Sequence, residues 1–134
     1  MYGSSVRKAR RRGLAVQLDR GYADRLPYAD DSVDVVLSSF MLHHVSADQR
    51  EPAIREVRRV LRTGGALHLV DIGGADAPAD GWMARRAHRH ELTRPNFGSG
   101  IPDLLRRAGF TDVRETGSDV RHHVGRFTFY RAVA

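Results

Sequence analysis

The sequence contains no cysteine, and it has a single tryptophan among its 134 residues. The absence of thiols excludes disulfide bonds, thiolate metal sites and cysteine nucleophiles. No apolar run approaches the roughly 20 residues that a helix needs to cross a bilayer. The first residues are basic and no apolar segment follows them, so we expect no secretory signal and a cytoplasmic protein.

Lysine is almost absent as well, because Lys8 is the only lysine among the 22 basic residues. The net charge is +6, which can indicate a nucleic acid or another anionic ligand as partner. The arginines are scattered, however, and no aromatic residues lie among the basic cluster to stack on bases. We therefore interpret this charge as solvated helix faces and expect no nucleic-acid partner.

The rest of the composition is typical of one globular domain. Hydrophobic residues make up 41% of the chain and charged residues 28%. A chain of 134 residues is long enough to bury a real core. We expect residues 1–134 to form a single domain.

A strand, a helix and a second strand follow one another in the middle of the chain. Residues 33–37 are a short run rich in valine, bounded by a polar turn, which predicts a strand buried on both faces. Residues 67–72 predict a second buried strand. This order predicts a right-handed crossover between two parallel strands.

The helix between these strands carries start and stop signals. Ser46 with Gln49 has the spacing of a capping box. Pro52 suits a first-turn position, so the regular helix is predicted to begin there. Gly64 is predicted to lie just past the helix end, where a left-handed backbone is cheap for glycine.

The two ends of the chain give further elements. Residues 1–13 predict a short basic helix that ends at Gly13, and residues 14–18 predict a strand. Residues 101–108 predict a helix, and the strands predicted for residues 110–116 and 127–133 should pair antiparallel.

Several segments at fixed spacing resemble the central part of class I S-adenosylmethionine-dependent methyltransferases, in the small-molecule subgroup sometimes called type 11. Their combination is specific, although no single segment would be. The segments are Leu26-Pro27-Tyr28, Asp30-Asp31-Ser32, Val33-Asp34-Val35-Val36-Leu37, Ser38-Ser39-Phe40-Met41-Leu42-His43-His44 and Glu56-Val57-Arg58-Arg59-Val60-Leu61-Arg62-Thr63-Gly64-Gly65.

This resemblance implies an α/β fold with a partial Rossmann-like sheet, mostly parallel and ending in an antiparallel hairpin. It implies S-adenosylmethionine as cofactor and a small molecule that accepts the methyl group on oxygen, nitrogen or carbon. Residues 73–100, the most variable part of the family, would form a substrate lid, with a helix predicted over residues 82–94.

The resemblance also implies which residues hold the cofactor. In the family, a loop after the third strand usually has an acidic residue directly after its glycine, and here that position is Tyr22. The tyrosine could stack on adenine or could simply pack over the loop. The cofactor-binding candidates are Tyr22, Ala23, Asp24, Ser38, Ser39, Phe40 and His43.

His43 and His44 are candidates for catalysis. A histidine could act as a base toward a hydroxyl or amine acceptor. The paired histidine recurs in the subgroup whatever the substrate, which favours a packing or cofactor-side role. The other histidines lack a third ligand at metal-site spacing, so we expect no metal.

Two features of the family are missing from the sequence. No glycine-rich turn precedes Leu26, and no acidic residue stands where the cofactor ribose would be bound. We therefore expect an incomplete domain without the first strands, whether through a misassigned start, a gene fragment or a degenerated pattern. Such a chain would bind the cofactor weakly or not at all, and its strand at residues 33–37 would have an open edge. The alternative function is a non-catalytic protein-interaction module that associates, for example with itself, through this edge.

Overall fold

A computed structural model describes residues 2–75, 82, 85–86 and 89–134 of the chain. In chain order the elements are helix α1 (Tyr2–Arg11), strand β1 (Val33–Ser39), a 3₁₀ helix (Leu42–His44), helix α2 (Ala47–Val60), strand β2 (Leu61–Ile72), a further 3₁₀ helix (Arg94–Asn96), helix α3 (Gly100–Arg107), and strands β3 (Thr111–Arg121) and β4 (Gly125–Val133).

The four strands form one mixed sheet in the order β1-β2-β4-β3. Strands β1 and β2 are parallel, with Val36 opposite Leu67. Strand β4 runs antiparallel to both of its neighbours and places Tyr130 beside Leu69. The predicted α/β class, the parallel crossover through α2 and the C-terminal antiparallel hairpin are confirmed.

The hydrophobic core lies on one face of this sheet, under α2 and α3. Ile54 of α2 and Leu105 of α3 meet Leu67 and Leu69 of β2 there, and all four side chains are buried. Burial of one such aliphatic side chain stabilises the fold by roughly 1.5–3 kcal/mol. The helices therefore hold β2 and β4 in the centre of the domain.

The opposite face of the sheet is open among the described residues. Leu37 is 78% exposed and Val35 is 53% exposed. The prediction that residues 33–37 are buried on both faces is therefore wrong, because helices cover only the face to which Val33 and Val36 contribute. Strand β1 also lies at the edge of the described sheet, as predicted.

The strand predicted for residues 14–18 is wrong. These residues have no regular structure, and Leu14 and Val16 are more than half exposed. A strand persists only where a neighbour accepts its backbone hydrogen bonds. None of the four strands of the described sheet pairs with residues 14–18.

Helix α2 begins earlier than predicted. Its first residue is Ala47, and Pro52 lies inside the helix. Ser46 makes no side-chain capping bond, and the Gln49 amide donates to Asp48 at 3.2 Å, so the predicted capping box is wrong. The hydrogen bond that Pro52 removes falls in the exposed first turns of the helix.

Gly64 has a different role from the predicted one. Helix α2 already ends at Val60, and Gly64 lies within β2 with φ at +81°. Its amide donates to the carbonyl of Ala134 at 3.0 Å. The pairing of β1 with β2 skips residues here, so Gly64 forms a bulge in the strand rather than the end of the helix.

Most of the C-terminal predictions are confirmed. Helix α3 ends before Gly109, whose φ is +95°. The predicted helix over residues 82–94 falls partly outside the described residues; Trp82, Arg85, Arg86 and Arg89 have helical backbone. Residues 90–93 form a bend and a turn before the 3₁₀ helix at Arg94, so the predicted helix extends too far. Among the described helices, none has the length and apolar character needed to cross a bilayer.

Candidate functional site

The candidate site lies where β1 and β2 end. Because the two strands are parallel, their carboxyl ends meet at one edge of the sheet, with Ser39 opposite Val70. Ligands of open α/β sheets bind at this edge. The residues that follow β1 and the last residues of β2 therefore form the site.

Phe40 turns the chain sharply at the end of β1. Its φ is +51°, a left-handed conformation that costs a non-glycine residue about 1–3 kcal/mol. The turn is held by the Phe40 amide, which donates to the Val70 carbonyl at 2.9 Å, and by an edge-to-face contact with Phe127 at 5.7 Å. The strained turn leads directly into the 3₁₀ helix that carries His43.

His43 is bound to a buried aspartate at the end of β2. Its Nδ1 lies 2.6 Å from Oδ1 of Asp71, and the side chains are 16% and 0% exposed. Asp71 also accepts hydrogen bonds from the amides of Leu42 at 2.7 Å and Ile72 at 2.8 Å. Three short hydrogen bonds thus hold the carboxylate rigidly, and the ring of His44 packs beside His43 with its centroid at 4.0 Å.

Asn96 and Arg50 lie behind Asp71, and both are buried. The Asn96 amide donates to the Ile72 carbonyl at 2.8 Å and approaches Oδ1 of Asp71 at 3.5 Å. Arg50 Nη1 donates to Oδ1 of Asn96 at 2.6 Å. Burial lowers the pKa of Arg50, and the charge of Asp71 opposes that shift. The two opposite charges are therefore coupled through the asparagine.

Arg50 also ties two chain segments together. Its Nε donates to the carbonyl of Val45, just after the 3₁₀ helix of His43, at 3.0 Å. Its Nη2 donates to the carbonyl of Leu92, which lies in the segment between β2 and α3. One guanidinium thus fixes the position of both segments relative to α2.

Two glycines allow the chain to leave β2 close to this network. Gly73 and Gly74 have φ of +135° and +111°. A Cβ at Gly74 would lie 2.1 Å from Oγ1 of Thr128, and one at Gly73 would lie 2.4 Å from the carbonyl oxygen of Asn96. Only glycine fits at either position, so the pair lets the backbone approach Asn96 and β4 closely.

The two serines at the end of β1 face different surroundings. The Ser38 hydroxyl is buried and has no hydrogen-bond partner among the described residues. Ser39 is exposed and, with Leu37 and Phe129, lines an open groove of about 180 Å³ on the uncovered sheet face. A buried hydroxyl without a partner is costly for the fold.

The loop with Tyr22, Ala23 and Asp24 stands apart from these residues. It is closed by a bridge between Tyr22 and Arg25, and the next amide, that of Leu26, donates to Glu56 of α2 at 2.8 Å. The Tyr22 side chain is 78% exposed, so it does not pack over the loop. In the described part of the chain, no hydrogen bond or ion pair joins this loop to residues 38–43.

The network behind His43 was missed by sequence reasoning. Asp71 gave a visible signal, because it is the one charged residue in the apolar run 67–72. Arg50 and Asn96 gave none, since each lies in a polar stretch that reads as solvent-exposed. Over the described ranges, no group of three or more histidine, aspartate or glutamate side chains could hold a metal ion.

The sheet order and the helices that connect its strands define an α/β domain whose candidate ligand edge lies beyond the carboxyl ends of two parallel strands. A family model described as a methyltransferase domain matches residues 2–69. The chain belongs to this methyltransferase family.

Two relatives each match more than half of this chain. The chain is 40% identical over 86 residues to the uncharacterized protein YafE of Escherichia coli, covering 60% of this chain and 39% of that protein. It is 31% identical over 121 residues to the O-methyltransferase resE of Aspergillus sclerotiorum, covering 86% of this chain and 43% of the relative. This chain therefore spans about two fifths of the length of these relatives.

A crystal structure from Thermotoga maritima has the same fold. It is described as an S-adenosylmethionine-dependent methyltransferase, possible histamine N-methyltransferase. The TM-score is 0.67 at 22% identity, and the match covers 96% of this chain and 68% of the other. At this identity the likeness establishes the fold alone.

Proposed function

We propose that this domain serves the transfer of a methyl group from S-adenosylmethionine to a small-molecule acceptor. The observation that carries the proposal is the ligand edge itself, in a chain of the methyltransferase family. There Ser38, whose hydroxyl has no hydrogen-bond partner in the described part of the chain, is followed by the strained Phe40 turn and the anchored His43. Strain that a fold maintains at one point is a frequent mark of function.

The residues present fit one side of the cofactor. Ser38 offers a buried hydroxyl without a partner among the described residues, and two residues further on Phe40 offers an aromatic ring that packs edge to face on Phe127. Ser39 and His43 flank the same turn. We propose these four residues for the methionine side and the exposed Tyr22, with Ala23 and Asp24, for the adenine side. When bound, the cofactor supplies an activated methyl group, and the protein supplies alignment and exclusion of water.

The acceptor would be held by the segment between β2 and α3. Residues 73–100 leave the sheet at the same edge, next to Asp71, and return to it through Asn96. We therefore propose that this segment covers the site and selects the acceptor. The relative resE is an O-methyltransferase by name, which is consistent with a small-molecule acceptor of this kind.

A titration of the isotope-labelled chain with S-adenosylhomocysteine, followed by amide NMR, tests the cofactor site. We expect signals of Ser38, Ser39, Phe40 and His43 to shift, together with those of the loop at Tyr22. The expected affinity is weaker than micromolar. Two loops supply the contacts, while the acidic residue that would bind the cofactor ribose is absent from the sequence. Each charge-assisted hydrogen bond lost in this way is worth about 1.5–3 kcal/mol.

A matched pair of tyrosine variants sharpens this test. Tyr22→Ala should weaken binding, whereas Tyr28→Ala should not, since Tyr28 is an exposed tyrosine whose hydroxyl donates to Asp19 at 3.0 Å. Transfer of a labelled methyl group to a panel of small hydroxyl, amine and carbon acceptors then tests the activity. No shift at residues 38–43 at any concentration, or equal effects of both tyrosine variants, would contradict the proposed site.

A second candidate function is favoured by the open edge of β1. We propose that two copies can pair antiparallel through this edge. A two-fold axis at Val36 places Val35 of one copy opposite Leu37 of the other, and Asp34 opposite Ser38, so no like charges meet. The Val35 and Leu37 side chains are each more than half exposed in the single chain, so the pairing would bury apolar surface.

Sedimentation equilibrium at rising concentration tests this pairing. Leu37→Asp should weaken self-association about tenfold or more, since it buries a charge at the centre of the contact. Leu14→Asp changes a similarly exposed leucine elsewhere and should have no effect. A chain that stays monomeric at all concentrations would rule the pairing out.

A further inference from the structure

A cleft of about 200 Å³ opens between α2, α3 and the 3₁₀ helix that begins at Arg94. Its lining includes three apolar and three charged residues, Ala47, Ile101, Leu104, Arg50, Glu51 and Arg107. Ala47 and Arg107 are exposed, whereas Arg50 is buried. The cleft therefore leads from the protein surface inward to a buried guanidinium group.

Arg50 has no carboxylate in direct contact among the described residues. It is 4% exposed, and its guanidinium donates to the carbonyls of Val45 and Leu92 and to Oδ1 of Asn96. These three acceptors are neutral, and they use three of the five N–H donors of the group. Burial lowers the pKa of Arg50, and Asp71, which opposes this shift, is reached only through Asn96. A buried charge is costly unless an opposite charge lies beside it, so the inner end of the cleft favours an anion.

Glu51 does not supply this anion, because Arg55 holds its carboxylate. Nε and Nη2 of Arg55 donate to Oε1 of Glu51 at 3.1 Å and 2.7 Å. Arg107 lies 3.4 Å from the other oxygen of Glu51, and its side chain is 58% exposed. A strong hydrogen bond between charged groups measures about 2.7–2.9 Å, so this contact is weak. Arg107 is therefore a second cation at the cleft that can turn to an incoming anion.

We propose that this cleft binds a small organic acid, with its carboxylate on Arg50 and Arg107 and its apolar body against α3. Guanidinium groups recognise a carboxylate through paired N–H donors. Ile101 and Leu104 of α3 give the cleft its apolar wall, which favours an acid with a hydrocarbon body. This binding does not depend on the proposed methyl transfer, since neither arginine is among the residues proposed for the cofactor or the acceptor.

A bound acid should also stabilise the junction that Arg50 forms. This guanidinium ties the segments at Val45 and Leu92 to α2, and a carboxylate beside it compensates the buried charge. A ligand that binds only the folded chain raises the unfolding temperature. At a concentration ten times the dissociation constant, we expect a rise of about 4 °C.

Titration of the isotope-labelled full chain with benzoate tests the site, with benzamide as a neutral molecule of the same shape. We expect benzoate to bind in the millimolar range and to shift the Nε signal of Arg50 and the amide signals of Asn96 and Ile101. Acetate has the same charge and a smaller apolar body, so it should bind more weakly. Benzamide should cause no such shifts, and equal binding of benzoate and benzamide would overturn the proposal.

Two neighbouring arginines of α3 give a matched pair of variants. Arg107→Gln should weaken benzoate binding about two- to fivefold, because it removes one exposed cation of the cleft. Arg106→Gln should leave the binding unchanged, since Arg106 is 57% exposed, does not line the cleft and pairs with Asp103 at 3.1 Å. Equal effects of the two variants would contradict the assigned cleft.

A third variant blocks the cleft from an exposed position. Ala47→Leu places a larger side chain on the cleft wall and should weaken benzoate binding about tenfold or more, while the unfolding temperature without benzoate is kept. Unchanged benzoate binding in this variant would overturn the site. Benzoate shifts confined to residues 38–43 would place the acid at the ligand edge and would overturn it as well, whereas failure of S-adenosylhomocysteine to bind would count against the proposed function alone.

Discussion

Replacement of Asp71 by asparagine should destabilise the domain strongly although the side chain keeps its shape. Asp71 is 0% exposed and accepts three hydrogen bonds of 2.6 Å to 2.8 Å. An amide in its place must turn its NH₂ toward a donor, and the best orientation sets it against the amide of Leu42. Loss of one hydrogen bond to a charged group costs about 1.5–3 kcal/mol.

The loss of the negative charge adds to this cost. Arg50 is 4% exposed and would remain charged in the interior without a counter-ion. Removal of one partner of a buried ion pair typically costs about 3–5 kcal/mol, and we expect Asp71→Asn to fall in this range. That is a large share of the free energy of unfolding of a natural domain, which is roughly 5–15 kcal/mol.

Urea denaturation followed by circular dichroism measures the effect, with Asp34→Asn as the matched control. Asp34 is 76% exposed and pairs with Arg62 at 2.7 Å, so its replacement should cost less than about 1 kcal/mol. If the charges are coupled, Arg50→Met should cost less free energy in the Asp71→Asn background than in the wild type. If Asp71→Asn lowers the free energy of unfolding no more than Asp34→Asn does, the reasoning is refuted.

Three further predictions follow from other parts of the chain. Gly74→Ala should cost about 2 kcal/mol or more in urea denaturation, because its Cβ would lie 2.1 Å from Oγ1 of Thr128 and its φ is +111°; Thr128→Ala should restore only part of the loss. Burial raises the pKa of Tyr130 to about 12, so only the unfolded chain loses this proton just above pH of about 10, and stability should fall there as pH rises. Tyr130→Phe should abolish that fall and stabilise the domain by about 1 kcal/mol at neutral pH, as the buried hydroxyl has no hydrogen-bond partner in the described part of the structure. The hydrogen bond from Arg59 holds the pKa of the Glu56 carboxyl below its ordinary value. The stability that this shift contributes is present above about pH 4.3 and is lost as the pH falls through the lower pKa of the folded chain. Glu56→Gln should therefore make the urea midpoint depend less on pH in this acid range.

Local patterns determined much of the fold. The valine-rich run at β1, the apolar run at β2 and the helix between them predicted a parallel crossover, and α3 with its stop at Gly109 was equally readable. These elements depend on side-chain spacing within a few residues, which the sequence displays directly. The motifs around β1 and Gly64-Gly65 also carried the family resemblance that the comparisons confirm.

Element bounds and burial depended on contacts that no local pattern records. Gly64 reads as a helix stop, yet tertiary pairing makes it a bulge in β2 opposite Ala134. Residues 14–18 have the alternation of a strand but find no pairing in the described sheet. Residues 33–37 read as fully buried, because a sequence cannot show whether one face of a sheet or both are covered.

The chemistry of the site divides in the same way. The sequence by itself determined that two serines end β1, that an aromatic residue and a pair of histidines follow it, and that two glycines follow β2. Only the tertiary structure decided that His43 meets Asp71, 28 residues away, and that Arg50 reaches Asn96 across 46 residues. Each of these polar residues is satisfied by a partner far along the chain, and burial makes that partner indispensable. Local periodicity reports which face of an element is apolar, whereas a buried polar network exists only once the elements have been brought together.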